Sequence, residues 1–400
     1  MRILQLTTSY PLSLQDGTAP FIRSIASGLA QRGHQVRVLA PERTGAPSHS
    51  QEGDVRVDWV RYAPHPSLRV IGHAQSLQND VRVKPAAYAA LPLFAQAMLS
   101  QARALCKIWQ PHIIHAHWAI PSGVLGALLA RQQGLPLVIS LHGSDMYLAR
   151  KSFVVGRFVR WVFQQAKAIS ACSQNLFDSA IYLGAPLNIT RIIPYGVDTE
   201  RFSPASTPAN GPPVILAAGR LVAKKGFDQL IAAAPAILAR CPTAQIWISG
   251  EGDHRPRLEK LCEALSPSVQ AHIKFLGQRG WSDMPDVLRQ ATLFVQPSVR
   301  DDAGNEDGLP NILLEGMASG LGIVASDLAG IPSVIRQEEN GLLVPPGDAD
   351  ALAQAVVRLL QNDVLRARLG QAARHYAETQ LSWHIAAAKF DEWISGSVDQ

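Results

Sequence analysis

Short runs of apolar residues alternate with helical patterns along nearly the whole chain. In the first half, runs rich in β-branched residues predict strands over residues 3–7, 35–40, 55–62, 112–117, 135–141, 168–171 and 191–193. Between them, apolar positions at helical spacing predict helices over residues 21–31, 86–107, 122–131 and 153–165. Near-continuous apolar strands separated by helices indicate a parallel sheet covered on both faces.

The alternation stops at residues 203–213, which hold four prolines and no charge, and then restarts. It predicts strands over 214–218, 245–249, 272–276, 293–296, 323–326 and 341–344, and helices over 227–238, 255–265, 284–290 and 311–319. Closing helices are expected over 349–361, 364–380 and 383–394. We therefore predict two doubly wound, Rossmann-like α/β domains over residues 1–202 and 214–380, joined by the linker 203–213. A C-terminal helix within 381–400 is expected to pack back on the first domain.

Composition agrees with two packed domains. The chain has 400 residues, of which 47% are hydrophobic, which excludes intrinsic disorder and a disulfide-stapled scaffold. The four cysteines form no Cys-x-x-Cys pair, so free thiols in a reducing compartment are expected. With no signal-like start and no apolar run long enough to span a bilayer, we expect a cytoplasmic protein.

Charge is unevenly divided along the chain. Residues 1–200 hold 19 Lys and Arg against 10 Asp and Glu, whereas residues 201–400 hold 18 against 22. The basic excess includes Arg56, Arg61, Arg69, Arg82 and Lys84, taken to lie in an irregular stretch, and Arg150, Arg157 and Arg160 around one helix. Because aromatic and apolar residues accompany that helix, either contact with an anionic membrane or a solvated basic face is expected. Nucleic acid is not expected as a partner, since no recognised binding motif accompanies the charge.

The first candidate binding segment is the loop from Gly219 to Gly226, between a predicted strand and a predicted helix. Arg220 and Lys225 could converge there on a diphosphate. The loop lacks the spacing of a P-loop. A solvated basic turn is the alternative.

The second candidate is the segment from Glu306 to Gly320. Pro310 suits the first helical position, which would leave the amides of Asn311 and Ile312 free to face an anion. Glu315 lies among leucines and a methionine, so its charge is expected to have a partner, and a carboxylate suits a sugar diol. The alternative is an ordinary helix start with an exposed glutamate.

Two weaker candidates follow predicted strands in the first half. His142 comes after an apolar strand and could donate to a sugar hydroxyl or phosphate oxygen, although a structural histidine fits equally well. Gly17 lies in the loop before the first helix. By contrast, the histidines at 112, 115 and 117 and the acidic loop 301–307 match no metal-ligand spacing, so no metal site is expected.

Together these segments resemble the retaining family-4 glycosyltransferases of the GT-B fold. The resemblance covers nearly the whole chain and is carried by these motifs in order: Gly17, Ile114-His-Ala-His-Trp118, His142-Gly-Ser-Asp145, Pro194-Tyr-Gly-Val-Asp198, Gly219-Arg220…Lys225-Gly226, Gly250-Glu-Gly252, Asp307-Gly-Leu-Pro…Glu315 and Asn340-Gly-Leu-Leu-Val-Pro-Pro-Gly347.

The resemblance implies a glycosyltransferase of hexosyltransferase type, with its two domains facing across a cleft. It implies that the second domain binds a UDP- or GDP-type sugar and the first a hydroxyl acceptor, with no cofactor required. The diphosphate would be bound by Arg220, Lys225 and the segment Gly308, Leu309, Pro310, Asn311 and Ile312. Glu315 would bind the ribose, Asp307 and His142 would contact the donor sugar, and the loop at Gly17 would close on it.

Three departures from the family pattern stand out. The first carboxylate is Asp307 rather than glutamate, Asp16-Gly17 stands where the family usually has two glycines, and Pro310 replaces a glycine.

A lipid-linked saccharide acceptor in cell-envelope or exopolysaccharide synthesis is expected, reached from the inner face of the cell membrane. The alternatives are a small-molecule acceptor, a phosphorylase or epimerase of the same fold, and a non-catalytic sugar-nucleotide sensor.

Overall fold

The computed structural model describes residues 1–13, 16–43, 45–73, 77–78, 82–206 and 211–398. The chain divides into two compact units. Unit 1 comprises Met1–Gly196 with Trp383–Gln400, and unit 2 comprises Val197–Ser382.

Unit 1 is built on an eight-stranded sheet in the order β10-β9-β8-β7-β1-β2-β4-β3. Its strands, with a separate β5–β6 pair, are β1 Arg2–Leu6, β2 Gln35–Pro41, β3 His49–Glu52, β4 Val55–Val60, β5 Leu77–Gln78, β6 Arg82–Val83, β7 Ile113–His117, β8 Leu137–Leu141, β9 Ala168–Ala171 and β10 Thr190–Ile192. Every pairing in the large sheet is parallel except β3–β4. Strands β7, β8 and β9 are buried throughout, as expected for central strands covered on both faces.

The helices of unit 1 connect these strands. They are α1 Pro20–Gln31, α2 Pro85–Trp109, α3 Val124–Gln133, α4 Ser144–Lys151, α5 Phe153–Gln165 and α6 Gln174–Tyr182, with α14 Trp383–Ser395 added from the end of the chain. Helix α14 packs on α1 so closely that a Cβ on Gly28 would lie 2.6 Å from the Cβ of Ala387.

Unit 2 contains a six-stranded parallel sheet in the order β13-β12-β11-β14-β15-β16. Its strands are β11 Val214–Ala218, β12 Gln245–Ser249, β13 Ile273–Gly277, β14 Leu293–Gln296, β15 Gly322–Ser326 and β16 Leu342–Val344. Its helices are α7 Phe227–Arg240, α8 Arg255–Glu263, α9 Pro267–Gln270, α10 Met284–Gln290, α11 Asn311–Ala318, α12 Ala349–Leu360 and α13 Asp363–Gln380.

The structure contains elements that the apolar pattern did not predict. Strand β3 has the sequence His-Ser-Gln-Glu and pairs antiparallel to β4 at the sheet edge, where one face meets solvent and no apolar run is needed. Helices α4 and α6 are short and each buries only two or three side chains, so their periodic signal is weak.

The division between the units lies earlier than the predicted boundary after residue 202. The Val197 N–H donates to the Leu381 carbonyl at 2.7 Å, and Arg374 donates to the carbonyls of Thr199 and Phe202 at 2.8 and 2.7 Å. These bonds fasten residues 197–202 to unit 2. Of the predicted linker 203–213, residues 207–210 lie outside the described residues.

Among the residues that the structure describes, no helix is both long and apolar enough to cross a membrane.

Candidate functional site

The loop after β11 is rigidly placed by backbone contacts. Gly219 donates its N–H to the Ser249 carbonyl, and Leu221 donates to Glu251, both at 2.9 Å. Gly226 has a φ of 65°, and a Cβ there would lie 1.9 Å from the Pro297 carbonyl oxygen. Only glycine fits such a close approach. The loop therefore presents Arg220 and Lys225 from a fixed backbone at the carboxyl end of β11.

Asp307 lies against this basic loop. Its carboxylate forms an ion pair with the Lys225 ammonium, and the Lys224 Nζ lies 4.0 Å away. The side chains of Lys225 and Asp307 are only 10% and 13% exposed. Burial by itself raises the pKa of Asp307, but Lys225, Lys224 and Arg220 outweigh it and hold the pKa below its usual value. The structure thus groups three cations around one ionised carboxylate.

Helix α11 begins directly beyond Asp307. Its first residue is Asn311, and Pro310 precedes the helix in an extended conformation, with φ −69° and ψ 119°. The expectation that Pro310 occupies the first helical position is therefore wrong by one residue. The N–H groups of Asn311 and Ile312 still have no partner within the helix, because they belong to its first turn.

The segment between Asp307 and α11 is held in place by burial and by a backbone hydrogen bond. Leu309 is buried, and the Gly308 carbonyl accepts the Gly330 N–H at 3.0 Å. The anchoring holds the start of α11 beside the ion pair of Asp307 and Lys225. The cations that follow β11 and the backbone amides at the start of α11 are together suited to binding an anion such as a diphosphate.

Glu315 lies in α11 and is partly exposed. Burial raises its pKa to about 8, against the opposing effect of Arg201, so the carboxyl is largely protonated at neutral pH. Among the described residues, its carboxyl has no hydrogen-bond partner. The neighbouring cation Arg201 was missed from the sequence, although the motif at 194–198 lies just before it.

Arg201 is held in place by Trp281. The guanidinium lies 3.7 Å from the centre of the indole ring, and its Nη2 donates to the Trp281 carbonyl at 3.3 Å. No local pattern in the sequence links these residues, because they come from segments 80 positions apart.

In unit 1, His142 follows β8 and has partners at both ring nitrogens. Nδ1 lies 2.7 Å from the Tyr195 hydroxyl, and Nε2 lies 3.1 Å from Nδ1 of His117. Burial, reinforced by neighbouring histidine, lowers the pKa of His142 and His117, so both rings are neutral. A ligand hydroxyl would therefore have to share or replace one of these partners. His117 and Tyr195 were not predicted as neighbours of His142.

The loop at Gly17 is organised by the residue before it. The Asp16 carboxylate accepts the N–H groups of Leu12 and Thr18 at 3.0 and 2.9 Å and pairs with Arg43 at 2.5 Å. Burial raises the pKa of Asp16, but these contacts prevail and lower it. Gly17 itself is exposed, and a Cβ there would meet nothing within 4 Å. Asp16 thus holds the loop in place.

The remaining histidines and acidic residues have structural surroundings. His115 is buried and bonded to Ser140 at 2.8 Å, and burial lowers its pKa to about 3. The Asp301 carboxylate accepts the N–H groups of Ala303 and Asn305 within its own loop. In the part of the chain that the structure describes, no three His, Cys, Asp or Glu residues are grouped to hold a metal ion.

In the predicted basic stretch before α2, two of the arginines pair with acidic residues. Arg56 lies in β4, not in an irregular stretch, and pairs with Asp58 at 3.3 Å, while Arg69 pairs with Glu42 at 2.9 Å. The side chain of Arg82 lies outside the described residues.

Helix α5, by contrast, carries exposed apolar and basic residues together. Phe153, Val154 and Phe158 are 80%, 61% and 53% exposed, and Arg157 lies 5.9 Å from the centre of the Phe153 ring. Tyr182 of α6, 76% exposed, lies under Arg150 at 5.6 Å. We define the α5 surface as six residues: Phe153, Val154, Arg157 and Phe158 of α5, Tyr182 of α6 and Arg150 of α4.

Comparison with known proteins identifies the family to which this chain is similar. Residues 15–201 match the profile described as Glycosyltransferase Family 4, and residues 212–362 match Glycosyl transferases group 1. A GDP-mannose-dependent alpha-(1-6)-phosphatidylinositol monomannoside mannosyltransferase from Mycobacterium tuberculosis is 30% identical over 99% of this chain and 98% of its own length. A glycogen synthase from the same species is 26% identical over 97% and 92% of the two chains.

A solved structure supports the same assignment of fold. Sucrose-phosphate synthase from Thermosynechococcus elongatus superposes with a TM-score of 0.79 at 21% identity, covering 99% of both chains. The predicted GT-B class, with two α/β units each built on a parallel sheet, is confirmed.

Proposed function

This chain belongs to the group 1 and family 4 glycosyltransferases, and on that premise we propose that it moves a sugar from a UDP- or GDP-type donor to a hydroxyl acceptor with retention of configuration. The observation that carries the donor assignment is the grouping of Arg220, Lys224 and Lys225 with Asp307 at the start of α11. A cation group beside free helix amides matches the charge of a diphosphate.

In the proposed reaction, the bond between the sugar and the β-phosphate oxygen breaks, and negative charge develops on that oxygen. Arg220, Lys225 and the amides of Asn311 and Ile312 stabilise this charge, because they are already oriented before the bond breaks. The acceptor oxygen attacks the same face of the sugar, and its proton passes to the departing phosphate. No protein nucleophile takes part, and the charge is met by protein groups rather than by a metal ion.

The two carboxylates have separate roles in this proposal. Asp307 stays ionised because cations surround it, so it accepts hydrogen bonds from donor-sugar hydroxyls while it orients Lys225. Glu315, in α11, accepts hydrogen bonds from the ribose hydroxyls and loses its proton when it does so. We also propose roles in donor-sugar recognition for His142 and Gly17, as the family resemblance implies.

We propose a lipid-linked saccharide as the acceptor, in cell-envelope or exopolysaccharide synthesis. The mannosyltransferase relative is named for a phosphatidylinositol-based acceptor, and the α5 surface combines exposed aromatic rings with arginines. Apolar side chains that enter the headgroup region and cations that face anionic lipids suit peripheral contact with the inner face of the cell membrane. Because a glycogen synthase is also a relative, a saccharide acceptor without a lipid is the second candidate.

The donor assignment is tested with Arg220→Ala, because Arg220 is exposed and its loss should leave the fold intact. We expect the variant to unfold at the wild-type temperature but to lose the thermal shift that UDP- or GDP-sugars produce, together with transfer. Arg257→Ala, an exposed arginine of α8, serves as the matched control. Normal turnover in Arg220→Ala would remove it from the donor site, whereas binding without turnover in wild type would point to a sensor.

A further inference from the structure

Trp118 has a backbone conformation that bulky residues rarely adopt. It follows β7 directly, with φ 67° and ψ 136°. Its N–H donates to the Ser140 carbonyl at 2.9 Å, and its own carbonyl accepts from Gly123 at 3.0 Å. A strained residue persists only where its surroundings over-determine it, and such residues collect at functional sites.

Asp145 fixes the turn that follows Trp118. Its buried carboxylate accepts the N–H of Ala119 at 2.8 Å and that of Gly143 at 3.0 Å. One carboxylate thus joins the turn after Trp118 to the turn after His142. The fold maintains the strain at Trp118 through buried polar contacts, and the result is a fixed position for its indole ring beside His142.

That position coincides with the topological switch point of the unit 1 sheet. From β1 the sheet continues to β2 on one side and to β7 on the other. Ligands of open α/β sheets bind outside the carboxyl ends of the strands at such a point. Trp118 follows β7, and Phe21 lies in the first turn of α1, which follows β1. Their ring centres are 6.2 Å apart.

The rings around this point form one aromatic cluster. The His142 ring lies 4.8 Å from both Trp118 and Phe21, and Phe21 also stacks on Tyr195 at 4.6 Å. Trp118 and Phe21 are both partly exposed. Among the described residues the indole N–H of Trp118 has no hydrogen-bond partner, and it is not sealed from solvent.

An exposed indole offers two different contacts to a ligand. Its face takes apolar C–H groups, and its N–H donates one hydrogen bond. A hydroxylated six-membered ring has the matching pair of features, since C–H groups lie on its faces and hydroxyls project from its edge. Neither a phosphate nor a flexible acyl chain offers both.

We propose that Trp118 and Phe21 form a subsite for the ring of the acceptor, a pyranose or cyclitol. The C–H face of the ring packs on the indole, and one ring hydroxyl accepts the indole N–H. The assignment of this ring to the acceptor rests on the proposed function, whereas the binding of the ring to unit 1 does not.

The test is saturation-transfer NMR on the full chain without any donor. The probes are methyl α-D-mannopyranoside, methyl β-D-glucopyranoside and myo-inositol, with acyclic sorbitol as the control polyol. We expect saturation of the ring C–H protons of at least one cyclic probe and none for sorbitol. Trp118→Leu should weaken that binding about fivefold or more, as expected for loss of an aromatic contact.

Trp109→Leu is the matched control, because Trp109 is also partly exposed but ends α2 before the amino end of β7. Trp118→Phe keeps a ring, loses the N–H and should bind at an intermediate level. For each variant, circular dichroism and the unfolding temperature without ligand report whether it is folded.

Equal signals from folded Trp118→Leu and wild type, equal losses in both leucine variants, or saturation of sorbitol would each overturn the subsite. Absence of saturation for all three cyclic probes on wild type would overturn it too. Failure of the proposed function has a different signature, since ring binding would persist while no nucleotide sugar bound or was turned over.

Discussion

At the scale of single residues, the pair of Lys225 and Asp307 links folding to the proposed chemistry. Both side chains are nearly buried, so each charge depends on the other for compensation. A diphosphate arriving beside them would compete with Asp307 for Lys225. The pair therefore orients the Lys225 side chain before any ligand binds.

We expect Lys225→Met to destabilise unit 2 by about 3 kcal/mol, because it leaves the Asp307 carboxylate buried without its main partner. Adding Asp307→Asn should recover much of that loss. A double-mutant cycle by urea unfolding measures the coupling, with Arg336→Met, from an exposed pair with Glu339, as the control. Additive effects of the two substitutions would contradict the coupling.

Glu315 predicts a pH dependence of donor binding. Its pKa of about 8 means that the carboxyl must lose a proton before both of its oxygens can accept hydrogen bonds from the two ribose hydroxyls as a carboxylate. Affinity for a nucleotide sugar should rise from about pH 6.5 to about pH 8.5, by at most tenfold per unit, and level off above the pKa. Titration calorimetry measures this, and Glu315→Gln should bind with a flat profile.

Stability should change with pH in the opposite direction. Burial raises the pKa of Glu315 above the 4.5 of an ordinary glutamate, so the folded state binds its proton more tightly than the unfolded state. Its contribution to stability is therefore complete below about pH 4.5 and is lost as pH rises towards 8.

A pH dependence of affinity identical in wild type and Glu315→Gln would remove Glu315 from the donor site.

At the scale of elements, α5 packs one face into the core of unit 1 and exposes aromatic residues on the other. Val159, Val162 and Phe163 are fully buried against unit 1, while Phe153 and Phe158 face outward. Its bounds agree with the predicted 153–165, because its inner face repeats at helical spacing. The same spacing cannot explain the outward aromatic rings, which fold stability does not require.

We expect the α5 surface to attach the protein to anionic vesicles. Phe153→Ser with Arg157→Glu should reduce co-sedimentation with phosphatidylcholine vesicles containing phosphatidylglycerol, at low salt, because both apolar insertion and charge attraction weaken. The matched control, Val364→Ser with Arg257→Glu, changes one exposed apolar residue and one exposed arginine of unit 2. Equal sedimentation of the α5 variant and wild type would argue against membrane contact there.

At the scale of the whole molecule, the two ends of the chain meet in one unit. Helix α14 returns from unit 2 and places Phe390 and Ile394 in the unit 1 core. Asp391 pairs there with Arg32 at 2.6 Å and His34 at 2.7 Å. The stability of unit 1 therefore depends on a helix that follows unit 2 in the sequence.

Phe390→Ala should lower the stability of unit 1 by about 3 kcal/mol, since it leaves a cavity in a packed core. Hydrogen exchange should become faster in β1 and α1 but not in β12 of unit 2. Phe158→Ala, in the same unit but half exposed, should change neither. Faster exchange in both units, or in none, would show that α14 does not support unit 1 in this way.

Several features of this protein follow from local spacing along the chain. The paired α/β architecture was predictable because strands covered on both faces must be apolar throughout, and β11 and β14 begin and end where that pattern does. The bounds of α10 agree with the helical spacing of its apolar residues. Arg220, Lys225, Asp307 and Glu315 were predicted as site residues from their local motifs and from the family resemblance that those motifs carry.

Contacts between distant segments could not be read in this way. Lys225 pairs with Asp307, and Arg201 lies near Glu315 and Trp281. His142 contacts both His117 and Tyr195. The members of each group come from separate strands or loops. Parallel strands bring their carboxyl ends to one edge whatever their separation in sequence, so these partners are set by sheet order. A single sequence records which residues follow each strand, and folding alone determines which of them become neighbours.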